Sequence, residues 1–387
     1  MRILLLNKFT APDPAPTSRL LGELGEGLRA RGWEVISRSA GGSYRQGTGS
    51  GGWRRWAKEA RAHWRLLLEG LTAPRPDVIL CLSDPPGLVF TAALLSRIRR
   101  VPLAHWVMDV YPQIAAALGE VTTTNPAYRL LHHAVRVGYS RCQVIGCLDM
   151  DMAKALSLTG DKKLLLTPPW PPTSIMQGLD DEIVPRAAVG GAAKPFTWLY
   201  SGNLGRAHDF ETLLEAQRIL EVEGHPASLI FQGRGPQLEQ AKKQAALLGL
   251  KDCQWLDYVQ DELLLVSLLT ADVVVATQKP ETQGLLWPSK LAVLKHLGCP
   301  LLWIGPPDGD IARMLRHECP QAAIFVPGDA SGVAAWLKQR ITDSCLAPSS
   351  KNNFPRMRER LAHDQSLAVD AWHQRLNSLV CEHRLPS

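Results

Sequence analysis

Apolar residues along this chain come in short runs separated by longer amphipathic stretches. RILLLN, EVISRS, DVILCLS, LAHWVMD, QVIGCL and KLLLTP punctuate the first half. Between them lie stretches such as SRLLGELGEGLRARG, whose apolar positions recur at helical spacing. The second half repeats the plan with TWLYSG, SLIFQG, CQWLDY, DVVVATQ, PLLWIG and AAIFVP, each followed by a helical pattern. Strands alternating with helices predict parallel sheets covered on both faces. The pattern breaks at TPPWPPTSIMQGLDDEIVPRAAVGGAAKP, rich in Pro and Gly and without periodicity, which reads as an interdomain connection.

The fold class expected is therefore α/β, with two facing Rossmann-like, doubly wound parallel-sheet domains and a cleft between them. The boundaries predicted are 1–175 for the first domain, 176–195 for the linker, 196–350 for the second domain and 351–387 for a helical segment. That segment, with RMRERLAHDQSLAVDAWHQRLNSLV, is expected to cross back to the first domain. In such sheets ligands sit beyond the carboxyl ends of the strands.

Composition narrows the picture only a little. A chain of 387 residues, 45% hydrophobic and 21% charged, is an ordinary globular protein of about two domains. The net charge of +6 suits an anionic ligand or an anionic membrane surface and does not by itself argue for nucleic acid. Eight cysteines without a CxxC pair or Cys/His metal spacing read as reduced cytosolic thiols. MRILLLNKFT lacks the features of a signal peptide, and no run reaches the ~18 apolar residues of a membrane span. The expectation is a cytoplasmic protein that could also lie on the inner face of the plasma membrane.

Candidate chemistry gathers at the strand ends. In YSGNLGRAHDF a strand stops at a glycine, a short loop follows, and a helix begins. Free N–H groups and the helix dipole make such a place attractive to anions. Gly202 and Gly205 allow close backbone approach, Arg206 offers a cation and His208 a second donor. A phosphate or diphosphate fits; a tight turn with a solvated Arg206 is the plainer alternative. After DVVVATQ come Glu281, Gly284, then Pro288 at a predicted helix start with Ser289 and Lys290 in its first turn. A carboxylate there can hold sugar hydroxyls, and Ser with Lys can hold phosphate or ribose; a plain helix start with a surface lysine is the alternative. Asp109 follows the LAHWVMD strand, where it either faces a ligand or caps a turn. Thr17, Ser18 and Arg19 follow the first strand, with Ser18 also readable as a helix cap.

Together these stretches resemble the retaining, nucleotide-sugar-dependent glycosyltransferases of family four, which have the GT-B fold. The resemblance spans nearly the whole chain. It includes NKFTAPDPAPTSRLLGELGEGLRARGWEV, HWVMDVYPQIAAALG, YSGNLGRAHDFETLLEA, FQGRGPQLEQ, LDYVQDELLLVSLLTADVVVA and GLLWPSKLAVLKHLGCPLL. The PSK string is similar to a subgroup that adds sugars to polysaccharide or lipid-linked oligosaccharide precursors. The resemblance implies a donor diphosphate held by Gly202, Asn203, Gly205, Arg206, His208, Gly284, Ser289 and Lys290. It implies a nucleotide base, of UDP or GDP, near Gly233, Gly235, Tyr258, Val259 and Gln260, an active-site group at Asp109, and no metal or other cofactor. It implies an acceptor side near Thr17, Ser18 and Arg19. The family's two glutamates eight residues apart fall at Glu281 and Ser289, and its Arg and Lys beside the diphosphate fall near Asn203 and His208, so Arg206 becomes the substitute cation. The first-loop double glycine is Ala15 and Pro16 here. Gly233 and Gly235 serve helix–strand packing equally well. The readings left open are a sugar-nucleotide epimerase of the same architecture and a non-catalytic nucleotide- or carbohydrate-binding subunit.

Two further patterns remain. Asp149-Met150-Asp151 and Asp308-Gly309-Asp310 have metal-diphosphate spacing, but their place between strand and helix favours capping. GGWRRWAKEARAHWRLLLEG alternates Trp with Arg and Lys on a helical pattern, which suits a lipid headgroup interface. GLVFTAALLSRIRR ends in three arginines and is read with equal weight as an ordinary packed helix.

Overall fold

A computed structural model describes residues 1–13, 15–41, 53–177, 196–344 and 354–384. It contains two six-stranded sheets, parallel throughout, and every strand read from the sequence is present. Most of linker 176–195 lies outside the described residues, as do 345–353 and 385–387.

The chain divides into two compact units. The first comprises Met1–Trp170, Gly284–Trp287 and His363–Ser387. Its strands are β1 (Arg2–Asn7), β2 (Glu34–Ser39), β3 (Val78–Cys81), β4 (Leu103–Trp106), β5 (Val144–Cys147) and β6 (Leu164–Leu166), in the order β2-β1-β3-β4-β5-β6. Strands β3, β4 and β5 are buried at every position, because a parallel sheet is covered on both faces and its interior strands become continuous apolar runs.

The helices of this unit are α1 (Pro16–Ala30), α2 (Trp53–Thr72), α3 (Leu88–Arg99), α4 (Gln113–Ala117), α5 (Pro126–Arg141) and α6 (Met150–Ala155). Helices α2, α3 and α5 form one layer with α3 in the middle. His63 pairs with Thr91 at 2.8 Å, and Arg99 donates to the Leu71 and Ala73 carbonyls across the α2 side. On the α5 side Gly138 lies against Val89 and Phe90 so closely that an added Cβ would sit 2.9 Å from the Val89 backbone. The end of α14 (Phe354–Arg384) packs against α1: Arg31 meets Asp370 at 2.7 Å and the Trp33 indole donates to His373 at 3.1 Å. Trp372 from the same helix packs tilted against Trp106 at 5.6 Å, and Trp106 stacks on Trp170 at 5.3 Å. Four residues from late in the chain also belong here. Val110 donates its N–H to the Leu285 carbonyl at 2.8 Å, and Asp109 bridges Leu286.

The second unit comprises Pro171–Gln283 and Pro288–Ala362. Its strands β7 (Phe196–Ser201), β8 (Ala227–Gln232), β9 (Cys253–Leu256), β10 (Val273–Thr277), β11 (Leu301–Ile304) and β12 (Ala323–Phe325) lie in the order β12-β11-β10-β7-β8-β9. This is a doubly wound order, and the direction of winding reverses between β7 and β10. Its helices are α7 (Thr173–Gln177), α8 (Glu211–Val222), α9 (Leu238–Leu247), α10 (Asp261–Thr270), α11 (Leu291–Leu294), α12 (Asp310–Glu318) and α13 (Ala330–Ser344). Its core is built around Trp198, Tyr200, Phe210, Phe231 and the leucines of α8.

Among the described residues no helix is long and apolar enough to cross a membrane. Neither Asp-x-Asp string collects a metal-ligating group there. Asp149 caps α6, its carboxylate accepting from Met152 N at 2.7 Å, and Asp310 pairs with Arg313 at 3.0 Å.

Candidate functional site

The loop after β7 sits at the reversal point of the second sheet, beside the end of β10. Their ends are tied together: His208 Nδ1 meets the Thr277 carbonyl at 2.7 Å, and Lys279 N donates to Ala207 O at 2.8 Å. The glycine turn after β8 locks onto the same loop. Gly202 N donates to Gln232 O and Leu204 N to Arg234 O, both at 2.8 Å, and the Gln237 amide donates to the Gly205 and His208 carbonyls. A Cβ on Gly233 would stand 2.3 Å from Gly202 O, and one on Gly235 2.5 Å from Leu204 N and O. Both glycines also have positive φ, +137° and +151°. Their requirement is therefore backbone-to-backbone packing of two loops. Tyr258 stands next to Gly233 with its side chain exposed, Gln260 is exposed and Val259 half-buried.

The cation of this loop is Lys290. Its Nζ is buried 3.2 Å from the centre of the Tyr200 ring and has no hydrogen-bond partner among the described residues. A Cβ on Gly202 would lie 3.6 Å from it. Burial holds the Lys290 ammonium well below its ordinary pKa, since a charge without water or a counter-ion is costly. Tyr200 is itself fixed by its hydroxyl, which donates to Asn203 O at 3.0 Å. Burial, with the nearby Lys290 charge adding to it, brings His208 down to about 3. The imidazole is therefore neutral, with Nδ1–H donating to Thr277 and Nε2 left as an acceptor.

Four sequence expectations change here. Arg206 is exposed, so the buried charge belongs to Lys290, which is 84 positions further on. His208 is an acceptor at its second nitrogen and becomes a second donor only on protonation. The start of α8 is not an open anion site. Asp209 accepts from Thr212 N at 3.4 Å and Glu211 from Phe210 N at 3.2 Å, so the helix supplies its own carboxylates. Finally, Pro288 and Ser289 form a turn and the helix begins only at Leu291; Ser289 is exposed. Lys290 is a candidate in sequence, with a surface lysine as the alternative; burial of a side chain by a residue distant in sequence leaves no local signal, so only the structure separates the two readings.

Glu281 stands exposed on the one-turn helix Pro280–Thr282, whose backbone is held by Thr282 Oγ1 donating to Lys279 O and Gln278 donating to Thr282 O. Gly284 belongs to the first unit, at φ +71°, and a Cβ there would meet Asp151 O at 2.6 Å.

The first unit carries charges of the other sign. Asp109 is half-buried, and burial, with Asp84 adding to it, pushes its carboxyl up to about 6. Asp84 is pushed up to about 6 too, chiefly by burial and against the pull of Lys8 at 3.8 Å. Asp109, Ser83, His105, Tyr111 and Tyr139 line a pocket of about 10 Å³, the room of one water. His105 is held neutral at about 4 by burial, its Nδ1 3.0 Å from the Cys81 carbonyl. Thr17 Oγ1 accepts from Asn7 at 3.3 Å. Ser18 is not a cap: α1 begins at Pro16 after Ala15, and Ser18 is fully buried in the first turn. Arg19 is half-buried beside it.

A family model described as glycosyl transferases group 1 matches residues 186–286. That stretch holds the β7 loop, the β8 turn and Glu281, and stops short of Lys290. No curated protein matches the chain in sequence. Among solved structures, a sucrose-phosphate synthase from Thermosynechococcus elongatus is similar at TM-score 0.68 and 14% identity, over 98% of this chain and 99% of that one. Anabaena HepE in complex with UDP is similar at 0.62 and 15%, over 98% and 99%. The lipopolysaccharide outer core galactosyltransferase WaaB, in its apo form, is similar at 0.60 and 12%, over 98% and 99%. HepE in complex with UDP-glucose is similar as well, at 0.59 and 16%, over 99% and 98%. At these identities the likeness speaks for the fold, and the fold is GT-B, two Rossmann-like α/β domains in one chain.

Proposed function

We propose that this protein is a glycosyltransferase that moves a sugar from a nucleoside-diphosphate donor to a hydroxyl of a carbohydrate acceptor. The observation that carries the reading is the buried Lys290 ammonium against the β7 loop, at the reversal point of the second sheet, with no partner among the described residues. A buried cation without a counter-ion is stabilised by an arriving anion, and a diphosphate brings several acceptor oxygens at once. The group 1 match over the same loop and the GT-B fold support a sugar nucleotide as that anion. We take UDP or GDP as the nucleotide, with the exposed Tyr258 ring as a surface beside its base and Glu281 as a partner for sugar hydroxyls.

In the reaction the bond between the sugar anomeric carbon and the β-phosphate oxygen breaks. A bond from that carbon to the acceptor oxygen forms, and the acceptor proton leaves on the released nucleoside diphosphate. Lys290 offsets the charge that grows on the leaving phosphate. Retention of configuration, a lipid-linked acceptor, a place in cell-surface polysaccharide or glycolipid synthesis and a cytoplasmic location complete the proposal. Retention rests on the family resemblance, the acceptor and pathway on the PSK stretch, and the location on a sequence without signal-peptide features or a long apolar run.

The test is incubation of the protein with UDP- and GDP-sugars and a panel of lipid-linked and free saccharides, followed by mass spectrometry and anomeric NMR. A new glycoside with release of nucleoside diphosphate is the expected result. A donor converted to its epimer without acceptor, or binding without turnover across the panel, would replace this reading with the epimerase or the binding subunit.

A further inference from the structure

The layer formed by α2, α3 and α5 has an outer face that combines exposed apolar residues with arginines. Phe90, Leu94 and Ile98 are exposed at 43%, 41% and 52%, one helical turn apart on α3. Leu130 and Val137 are exposed on the neighbouring α5, and Trp64 and Leu68, again one turn apart, on α2. These apolar residues are interleaved with cations. Arg97 stands in the α3 stripe; Arg129 and Arg136 stand in that of α5; Arg61 and Arg65 are exposed beside Trp64. Neither α3 nor α5 contains a single Asp or Glu. The inner faces of the same helices are used up: Leu88, Ala92 and Leu95 of α3 and Val135 of α5 are buried in the core of the unit.

Exposed apolar residues are normal when scattered, and they carry meaning when they cluster with charges of one sign. On the helices of the second unit they are scattered. Val222, Leu247 and Leu263 stand singly on α8, α9 and α10, and α8 and α9 carry Glu211, Glu215, Glu221 and Glu239. A folded protein partner would ordinarily require carboxylates or amides facing such a surface, and a duplex would want cations without large exposed aliphatics. An interface of lipid headgroups over acyl chains supplies both halves: phosphates for the arginines and hydrocarbon for Trp64, Phe90, Leu94 and Ile98.

We propose that the outer face of α2, α3 and α5 is a docking surface for an anionic phospholipid membrane, on which the first unit lies without crossing it. Structure changes the weight that sequence gave to its parts. The tryptophan-rich α2 remains, although the side chains of residues 53–56 are outside the described set. The stripe of α3 joins it, and α5, which drew no attention in sequence, completes the face. The proposal goes beyond the enzymatic reading and stands without it, because membrane binding needs neither donor nor acceptor.

The experiment is co-sedimentation of the full chain with vesicles of phosphatidylcholine alone and of phosphatidylcholine with 30% phosphatidylglycerol, at about 0.05 and 0.5 M salt. Binding is expected to the anionic vesicles only, and to weaken at the higher salt as the Debye length shrinks. Each cation near an anionic surface multiplies partitioning about fivefold. The variant Arg97→Gln/Arg129→Gln/Arg136→Gln should therefore bind about a hundredfold less, and Leu94→Ser/Ile98→Ser should also bind less while the salt dependence stays. A control, Lys242→Gln/Lys251→Gln on the second unit, should bind as the wild type does. All five residues of the helical stripes tested are exposed, so unchanged melting curves are expected for every variant. Equal binding to neutral and anionic vesicles, no binding to either, or equal loss in the control would overturn the proposal. So would self-association, seen by sedimentation equilibrium, that the Leu94→Ser/Ile98→Ser variant abolishes.

Discussion

The two units wind their sheets in closely related ways, yet the charges at the carboxyl ends of their strands are opposite. The second unit holds an ammonium, Lys290, packed on Tyr200 with no partner of its own among the described residues. The first holds carboxylates, Asp109 and Asp84, each pushed up to about 6. In both places burial works against the charged form, and in both it does so where a doubly wound sheet offers a ligand its crevice. The fold is thus indifferent to sign. The loops decide it.

The largest effect should come from removing the ammonium. Lys290→Met keeps the length of the side chain and its contact with the Tyr200 ring. Charge-assisted bonds to a buried partner are worth ~1.5–3 kcal/mol each, so titration calorimetry should show nucleoside diphosphate affinity falling about a hundredfold. Without ligand the variant should melt no lower than the wild type, because a buried charge without a counter-ion does not stabilise the fold. A variant with unchanged affinity would erase the contrast between the units.

Next comes the locking of the two glycine loops. Gly235→Ala places a Cβ on a residue at φ +151° and 2.5 Å from Leu204 N and O. Strain of this kind costs about 2–3 kcal/mol. The denaturation midpoint of the second unit should drop accordingly, and nucleotide affinity with it, while the first unit unfolds as before. If only the nucleotide affinity fell, Gly235 would be a ligand contact and not a packing requirement.

These two residues also mark what sequence could and could not tell. Strands of a parallel sheet are apolar on both faces, so VILC, LAHW and VVVAT announce themselves without any partner in view. The glycine turn and the β7 loop were legible as loops for the same reason, since they end such runs. Their relation was not, because a backbone approach of two loops leaves no periodicity. Nor was the placement of Leu285 and Leu286 beside Asp109 and Val110, a contact between residues about 175 positions apart. Arg206 and Lys290 show the limit most plainly. Both are cations in loops, and only the packing of Tyr200 and Gly202 tells which one is buried.

A smaller effect is expected in the first unit. The Asp109 carboxyl titrates at about 6 in the fold, above the ordinary value near 4. The folded state therefore binds its proton more tightly than the unfolded chain. The resulting penalty on the ionised form is absent below about pH 4, grows between 4 and 6, and is complete above 6. Asp109→Asn removes it, so the variant should be more stable than the wild type at pH 7.5, on the order of 2 kcal/mol, and equal to it at pH 4. Thermal melts at the two pH values decide this. A gain of the same size at both would mean that the amide finds new hydrogen bonds and that charge is not the issue.

The smallest effect belongs to Arg206, and it sharpens the contrast with Lys290 because the two cations serve one loop from different environments. Arg206 is exposed, so its field reaches a bound diphosphate through water and salt. At physiological ionic strength such an interaction is screened over ~8 Å, whereas one made inside the protein is screened far less. Arg206→Ala should then lower nucleoside diphosphate affinity only about three- to fivefold at low salt, and scarcely at all at 0.5 M. The loss in Lys290→Met should persist across that range. Calorimetry of both variants at two salt concentrations separates the contributions. If the Arg206 deficit were as large as that of Lys290 and equally resistant to salt, the arginine would have to fold inward onto the ligand. The loop would then hold its anion between two cations, as its sequence first suggested.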